Sequence, residues 1–428
     1  MAALRTFYQR IVDPGASQSP FSDRPLAGPE GIRRHTFFRR LLGASIATFG
    51  LTCAGVFNAQ AANFTCSWND ATANWTTAAD WSSCNGTDPN NVGGNTYDVV
   101  ISTGDPTLTT AVTIGSVTIN SPGASTITGA GASATLTGLL SNAGTFAIDS
   151  GASVTTIGVG LTNTGLARVD QSGSGGSSLI VGGALTNSGA GAFLEIGNLG
   201  LTASSTVQAT SLSNSGAIFV FGNGTAAAEL TIAGGLTNTG SAVVDTAGAG
   251  GSKVTLGGTL TNSAGATLDI GNSGLSASST VTATGLSNTG TINLVGNTNV
   301  PANQGTVTVN GQASNGGTVN IATASNVTVN GAGNAYTQTA GSTNLSGGSL
   351  AAPNVNITGG KLQGMGTVTG VANIGGTGAI EAIDLANNSL PAALAINGNY
   401  GQSGGTFDAL LHGTGIQIDE VNVTKGTA

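Results

Sequence analysis

From Tyr97 onward the chain alternates apolar and small polar residues in short runs. Thr107-Leu-Thr, Ala111-Val-Thr-Ile114, Ser116-Val-Thr-Ile119, Ser125-Thr-Ile-Thr128 and Ala134-Thr-Leu-Thr137 set the pattern. A period of two sends one set of side chains to one face of a strand and the other set to the opposite face. Phe146-Ala-Ile-Asp149, Ala217-Ile-Phe-Val-Phe221, Glu229-Leu-Thr-Ile232, Ala242-Val-Val-Asp245 and Thr291-Ile-Asn-Leu-Val295 are short and rich in β-branched or aromatic residues. Gly, Asn or Ser bounds each, as turns require.

One phrase recurs between these strands. It reads Leu161-Thr-Asn-Thr-Gly165, Leu185-Thr-Asn-Ser-Gly189, Leu212-Ser-Asn-Ser-Gly216, Leu236-Thr-Asn-Thr-Gly240, Leu260-Thr-Asn-Ser-Ala264 and Leu286-Ser-Asn-Thr-Gly290. Weaker copies surround Asn142 and Asn315. The central asparagines are Asn142, Asn163, Asn187, Asn214, Asn238, Asn262, Asn288 and Asn315, separated by 21, 24, 27, 24, 24, 26 and 27 residues. Such a period marks a solenoid, in which each coil buries its apolar face only against its neighbours. Glu, Lys, Arg and Gln are too sparse for a helical side in each coil. The pattern therefore predicts an all-β fold, a right-handed parallel β-helix of about 24 residues per coil. At the sheet spacing, roughly 13 coils make a rod about 60 Å long.

The asparagine has a physical job in such a coil. A turn residue with positive φ tolerates Asn or Gly. Amides at one corner, about 4.8 Å apart, can also bond to the copies above and below. A structural ladder at that corner is expected; ligand binding by the stacked amides is the alternative. On a larger scale, residues 161–223 align with 236–297 with one gap, opposite Gly189, and 41 of 62 positions are identical. That is a duplicated three-coil block.

The start of the chain differs. Arg33, Arg34, Arg39 and Arg40 precede an apolar stretch from Leu41 to Phe57, and Ala59-Gln60-Ala61 offers a cleavage site. This predicts an export signal with an extended basic start over residues 1–61, cleaved after Ala61. Gly43, Gly50 and Gly55 weaken the stretch as a permanent membrane span. Cys66, Trp68, Trp75, Trp81 and Cys84 follow closely. Two cysteines in an exported chain predict a Cys66–Cys84 disulfide, stapling an N-terminal cap over residues 62–96. A tryptophan platform for sugars is the alternative there. The coils are expected over 97–400. Residues 401–428 read as the start of a C-terminal coil or cap, apparently truncated.

Charge narrows the function. Residues 62–428 carry four Lys+Arg and sixteen Asp+Glu, a net of 4 − 16 = −12. An acidic, charge-poor body lacks the basic patches that nucleic acid needs. Histidine is nearly missing: only His412 follows the signal, so a His triad or His metal cluster has no material. Acids supply the remaining candidates. Asp149, Asp170, Asp245 and Asp269 each lie seven residues after their coil's asparagine, and Glu195 lies eight after. Asp149, Asp170 and Glu195 would come from successive coils. Stacked on one face they would suit Ca²⁺ or act as an acid/base pair. A solvated, polar strand end is the plainer reading. Thr-x-Thr steps at Thr107, Thr126, Thr135, Thr280 and Thr306 are irregularly spaced, which argues against a flat ice-binding face.

Together these features resemble the passenger region of Gram-negative autotransporters. The extended signal, the start from Trp68 to Trp81, the Leu-Thr-Asn-Thr-Gly coils and Asn399-Tyr-Gly-Gln-Ser-Gly-Gly-Thr-Phe-Asp408 carry the resemblance. It implies a β-helix displayed at the cell surface, often as an adhesin, and carried across the outer membrane by a C-terminal β-barrel. That translocator barrel is expected to be missing here, since no alternating strands with aromatic girdles follow. The sequence reading is thus an exported, non-catalytic structural or adhesive module. Its place is the cell surface, the outer membrane or the extracellular space, or the periplasm if no translocator exists. Host or matrix glycans and proteins, or neighbouring cells, are the expected partners. Contact with a membrane is expected only through the signal or the missing barrel. No cofactor is expected, and Ca²⁺ is the one ion the acids suggest. A polysaccharide-active, pectate-lyase-like β-helix enzyme and an inert spacer stalk are the alternatives.

Overall fold

The structure is a computed structural model that describes residues 62–91, 94–387, 391–408, 411–412 and 417–424. The export signal over 1–61 and its cleavage after Ala61 lie outside the described residues.

Short strands stack in parallel, each pairing with its counterpart in the next coil. Every coil visits three sheets in turn. Sheet I holds the asparagine strands, such as Leu161–Asn163. Sheet II follows the next corner, as in Leu166–Val169. Sheet III completes the coil, as in Ser178–Val181. Like residues pair with like: Leu161 with Leu185, Leu185 with Leu212 and Leu212 with Leu236. Each strand alternates buried and exposed positions, so Val, Ile, Leu and Ala from all three sheets fill one continuous core. Apolar burial thus accumulates coil by coil, and no coil can keep it alone.

In the copies ending at Gly165, Gly216, Gly240 and Gly290, the final glycine is explained by a close approach. A Cβ on Gly165 would lie 2.2 Å from the Gly144 carbonyl oxygen, and one on Gly240 the same 2.2 Å from that of Gly216. Successive coils therefore touch backbone to backbone at the corner between sheets I and II.

Both ends of the described chain continue this architecture. Asn63–Trp68 pairs in parallel with Thr96–Ile101, and Thr72–Asn74 with Asp105–Leu108. The stretch expected as a disulfide-stapled N-terminal cap over 62–96 stacks on the coil that follows it. A short antiparallel return, Trp68 opposite Trp81, tightens it. Tyr400–Gln402, Thr406–Asp408 and Glu420–Val423 also pair in parallel with the coil before them. No helix among the described residues is long and apolar enough to cross a membrane.

Candidate functional site

The asparagines form a ladder inside the rod. Each Nδ2 donates to the Oδ1 of the next asparagine, from Asn142 through Asn163, Asn187, Asn214, Asn238, Asn262 and Asn288 to Asn315, which donates to Gln338 Oε1. The distances run from 2.7 to 2.9 Å. The second amide hydrogen of each reaches the carbonyl that opens sheet II one coil on, as from Asn163 to Phe193 and from Asn187 to Ala217. All eight asparagines are buried. The corner geometry differs from the sequence expectation. None of the eight has a positive φ; each is the inward residue that ends an extended strand. The ladder is thus unavailable to a ligand. It satisfies polar groups that the tight corner removes from water.

Positive φ falls instead on two acids. Asp170 and Asp245 have φ of 57° and 55°, and both are fully buried. Asp170 accepts from Ser177 N at 2.8 Å, Ser177 Oγ at 2.7 Å, Ser205 Oγ at 2.7 Å and Ser150 N at 3.1 Å. Asp245, its copy in the duplicated block, accepts from Ser252 N, Ser252 Oγ, Ser279 Oγ and Gly222 N at 2.7 to 2.9 Å. Each carboxylate bolts three coils together at the corner between sheets II and III. Asp149 is buried and accepts from Ser172 Oγ at 2.8 Å.

Glu195 does not join these acids. It pairs with Arg168 across sheet II, facing outward, with Arg168 Nε 2.8 Å from Glu195 Oε2. Asp269 also faces outward and accepts from Asn293 at 2.6 Å. The expected stack of Asp149, Asp170 and Glu195 is therefore not formed. Three extra residues in the corner between Asn187 and Phe193 place Glu195 level with Arg168 rather than with Asp170. Among the described residues no three His, Cys, Asp or Glu side chains are grouped to hold a metal ion. His412 lies in a short strand, Leu411–His412.

The aromatic start is a plug. Trp68, Trp75 and Trp81 are buried and meet edge to face, with centroids 4.8 Å apart in both contacts. Trp81 Nε1 donates to the Trp75 carbonyl at 2.7 Å. Their covered faces leave no platform for a sugar. Cys66 and Cys84 are bonded, which suits an oxidising compartment. Reduction of this disulfide is expected to lower stability by about 3 kcal/mol in the chain-entropy model. The check is a urea titration with and without reductant, followed by tryptophan fluorescence. Coincident curves would show that the staple carries no stability.

The outer surface holds features that sequence reading passed over. On sheet II, Phe193 stacks on Phe219 at 6.2 Å and 13°, and Phe219 on Phe221 at 5.8 Å. All three are half-buried and sit beside the Arg168–Glu195 pair. Parity was the available signal, because the alternation in Ala217–Val220 points Ile218 and Val220 inward and leaves Phe219 outside. Further along the same face a second amide ladder runs from Gln363 through Asn344 and Asn320 to Asn293, ending on Asp269. Its spacing matches that of the inner ladder. Two cavities, one beside Leu108, Ile127 and Leu136 and the other beside Leu230, Val254 and Val281, are walled almost wholly by apolar core residues. Neither carries the convergent polar groups of a ligand site.

No family model, no curated protein and no solved structure matches the chain.

Proposed function

We propose that the protein is an exported, non-catalytic β-helix that serves as a structural or adhesive module at the cell surface or outside the cell, in the manner of an autotransporter passenger. One observation carries the reading. The acids that would have supplied catalysis, Asp170 and Asp245, are spent on buried corner bonds, while the outer faces present long, regular surfaces. The sheet II patch of Phe193, Phe219 and Phe221 is the adhesive surface under this reading. Half-buried rings there offer apolar area that scattered single residues do not.

The test is binding of the fluorescently labelled protein to cells, matrix proteins and a glycan array. Phe219→Ser is expected to weaken binding about tenfold, the worth of roughly 1.4 kcal/mol of lost contact. The melting curve should stay in place, because the ring lies outside the core. Absence of binding across all three surfaces would favour the spacer reading. A second reading, a polysaccharide-active enzyme, draws on the Arg168–Glu195 pair beside the rings. It requires release of reducing ends from an acidic glycan and loss of that release in Glu195→Gln.

A further inference from the structure

The two amide ladders differ in what they leave open. A side-chain amide has two N–H donors and an oxygen that accepts twice. In the inner ladder both hydrogens are used, as where Asn163 Nδ2 donates to Asn187 Oδ1 and to the Phe193 carbonyl. In the outer ladder each amide donates once. Asn320 gives one hydrogen to Asn293 at 2.6 Å and accepts from Asn344 at 2.7 Å. Asn293 donates to Asp269 at 2.6 Å, and Gln363 to Asn344 at 2.9 Å. The second hydrogen of Asn293, Asn320, Asn344 and Gln363 meets no acceptor among the described residues, and all four side chains are half-buried rather than enclosed. The ladder bonds fix these amides, so the open donors are held ready and little further ordering is needed to bind.

These amides lie within strands and share one outward register. It runs through sheet II from Arg168 past Phe219 and Asp269 to Gln363, one residue in each coil. The fold does not demand amides there, because Glu195, Phe219 and Val243 fill the same register in earlier coils. Two residues before the amides, Thr291, Thr318 and Ser342 face outward on the same strands and pair in sequence from coil to coil. At the N-terminal end of the row stand the rings of Phe193, Phe219 and Phe221. Sheet II therefore carries a ring cluster and, beyond Val243 and Asp269, a row of open amides with hydroxyls beside it.

Charge and hydrogen bonding decide the partner. Arg168 is paired with Glu195 at 2.8 Å and Lys361 with Glu381 at 2.9 Å. The face therefore has no free cation for an anionic polymer, and the acidic body repels one. Sheet II strands are paired on both sides along this stretch, so an extended peptide finds no edge to join. A folded protein would have to set an acceptor over each open N–H or leave it dry, which is unfavourable. A hydroxyl-rich chain escapes that demand, since each hydroxyl both donates and accepts and water bridges what it misses. Sugar rings also carry apolar C–H faces, which suit the negative faces of phenylalanine rings. We propose that this face binds an uncharged polysaccharide chain laid along the rod, from the rings to Gln363. The inference rests on the adhesive reading and gives its partner a chemical class.

The experiment is native electrophoresis of the protein through gels holding hydroxyethyl cellulose, dextran or polygalacturonate, with Kd read from retardation relative to a polymer-free gel. At least one of the two uncharged polymers is expected to slow the wild-type protein, while polygalacturonate leaves it unretarded. Asn320→Asp keeps an acceptor for Asn344, removes both N–H groups and should raise Kd about tenfold. Phe219→Ser should do the same. The two together should raise it about a hundredfold, since they stand four coils apart and act independently. Thr291→Val with Thr318→Val removes two hydroxyls, preserves the branched shape and should raise Kd about threefold. Thr255→Lys, on the exposed face of sheet III, should change nothing. Circular dichroism identifies any variant that fails to fold, and the others then decide. The proposal is overturned by wild-type protein that neither uncharged polymer retards, and by retardation that none of the sheet II variants weakens. Self-association that Asn320→Asp abolishes, with no retardation, also overturns it and gives the face to a second copy. Binding to cells or matrix proteins through Phe219 without retardation sinks this inference and leaves the adhesive reading standing, whereas absence of all binding removes both.

Discussion

Asp245→Ala is expected to lower stability by roughly 3–5 kcal/mol. The carboxylate is fully buried and accepts four hydrogen bonds drawn from three coils. Alanine would leave the N–H groups of Gly222 and Ser252 and two serine hydroxyls without an acceptor, in a place water does not reach. Each orphaned donor costs about 1–3 kcal/mol before relaxation. Alanine at a φ of 55° adds strain of about 1 kcal/mol. Asp245→Gly separates the two causes, since glycine removes the strain and keeps the orphaned donors. It should therefore recover only a minor part of the loss. Asp269→Ala serves as the control on the outer face and should cost under about 1 kcal/mol. The measurement is native-state hydrogen exchange of the flanking strands, because a solenoid need not unfold in one step. Equal costs at Asp245 and Asp269 would mean that the corner bond does not hold the coils.

The second large effect belongs to the amide ladder. Asn214→Leu is expected to cost about 3 kcal/mol. It strips the acceptor from Asn187 Nδ2 and the donor from Asn238 Oδ1, and frees the Ser241 carbonyl. The same change at Asn142 should cost less than half as much. Asn142 ends the ladder: its Nδ2 donates onward, while its Oδ1 is buried with no hydrogen-bond partner among the described residues. A central break severs two rungs and a terminal one severs a single rung. Denaturation of both variants side by side decides the matter, and a terminal cost equal to the central one would show that the rungs do not act as a chain.

Much of this was legible in the sequence because a solenoid writes each coil separately. The Leu-Thr-Asn period exposes the stack since every coil must bring its own amide to the same corner. The duplicated block shows itself again in three dimensions, where Asp170 with Ser177 and Ser205 maps onto Asp245 with Ser252 and Ser279. What the residue counts misjudged was phase. Asp170 and Glu195 lie seven and eight residues after their asparagines, but the longer corner after Asn187 sets Glu195 level with Arg168 on the outer face of sheet II. Asp269 lies seven residues after Asn262 and still faces out, because Ala264–Gly265 lengthen its corner. The positive φ was assigned to the asparagines, yet the asparagines need extended backbone to aim their amides along the axis. The left-handed corner went to aspartate, whose short side chain turns back onto nearby N–H groups. The outward phenylalanines escaped notice for the same reason, since only register reveals which residues share a face.

The inner ladder is polar in a further sense: every rung points the same way. All Nδ2 groups donate toward the C-terminal end and all Oδ1 groups accept from the N-terminal side. A half-built rod therefore has two unlike ends. If coils were laid down starting at the N-terminus, each advancing edge would expose an amide N–H still waiting for its oxygen. If they were laid down from the C-terminus, the edge would expose an oxygen instead. Proteins leave buried carbonyl oxygens unpaired more readily than buried N–H groups, and the finished ladder does so at Asn142. Assembly that begins at the C-terminal coils and advances toward the tryptophan plug never strands an asparagine side-chain donor, so this one-way row of amides favours that direction of folding.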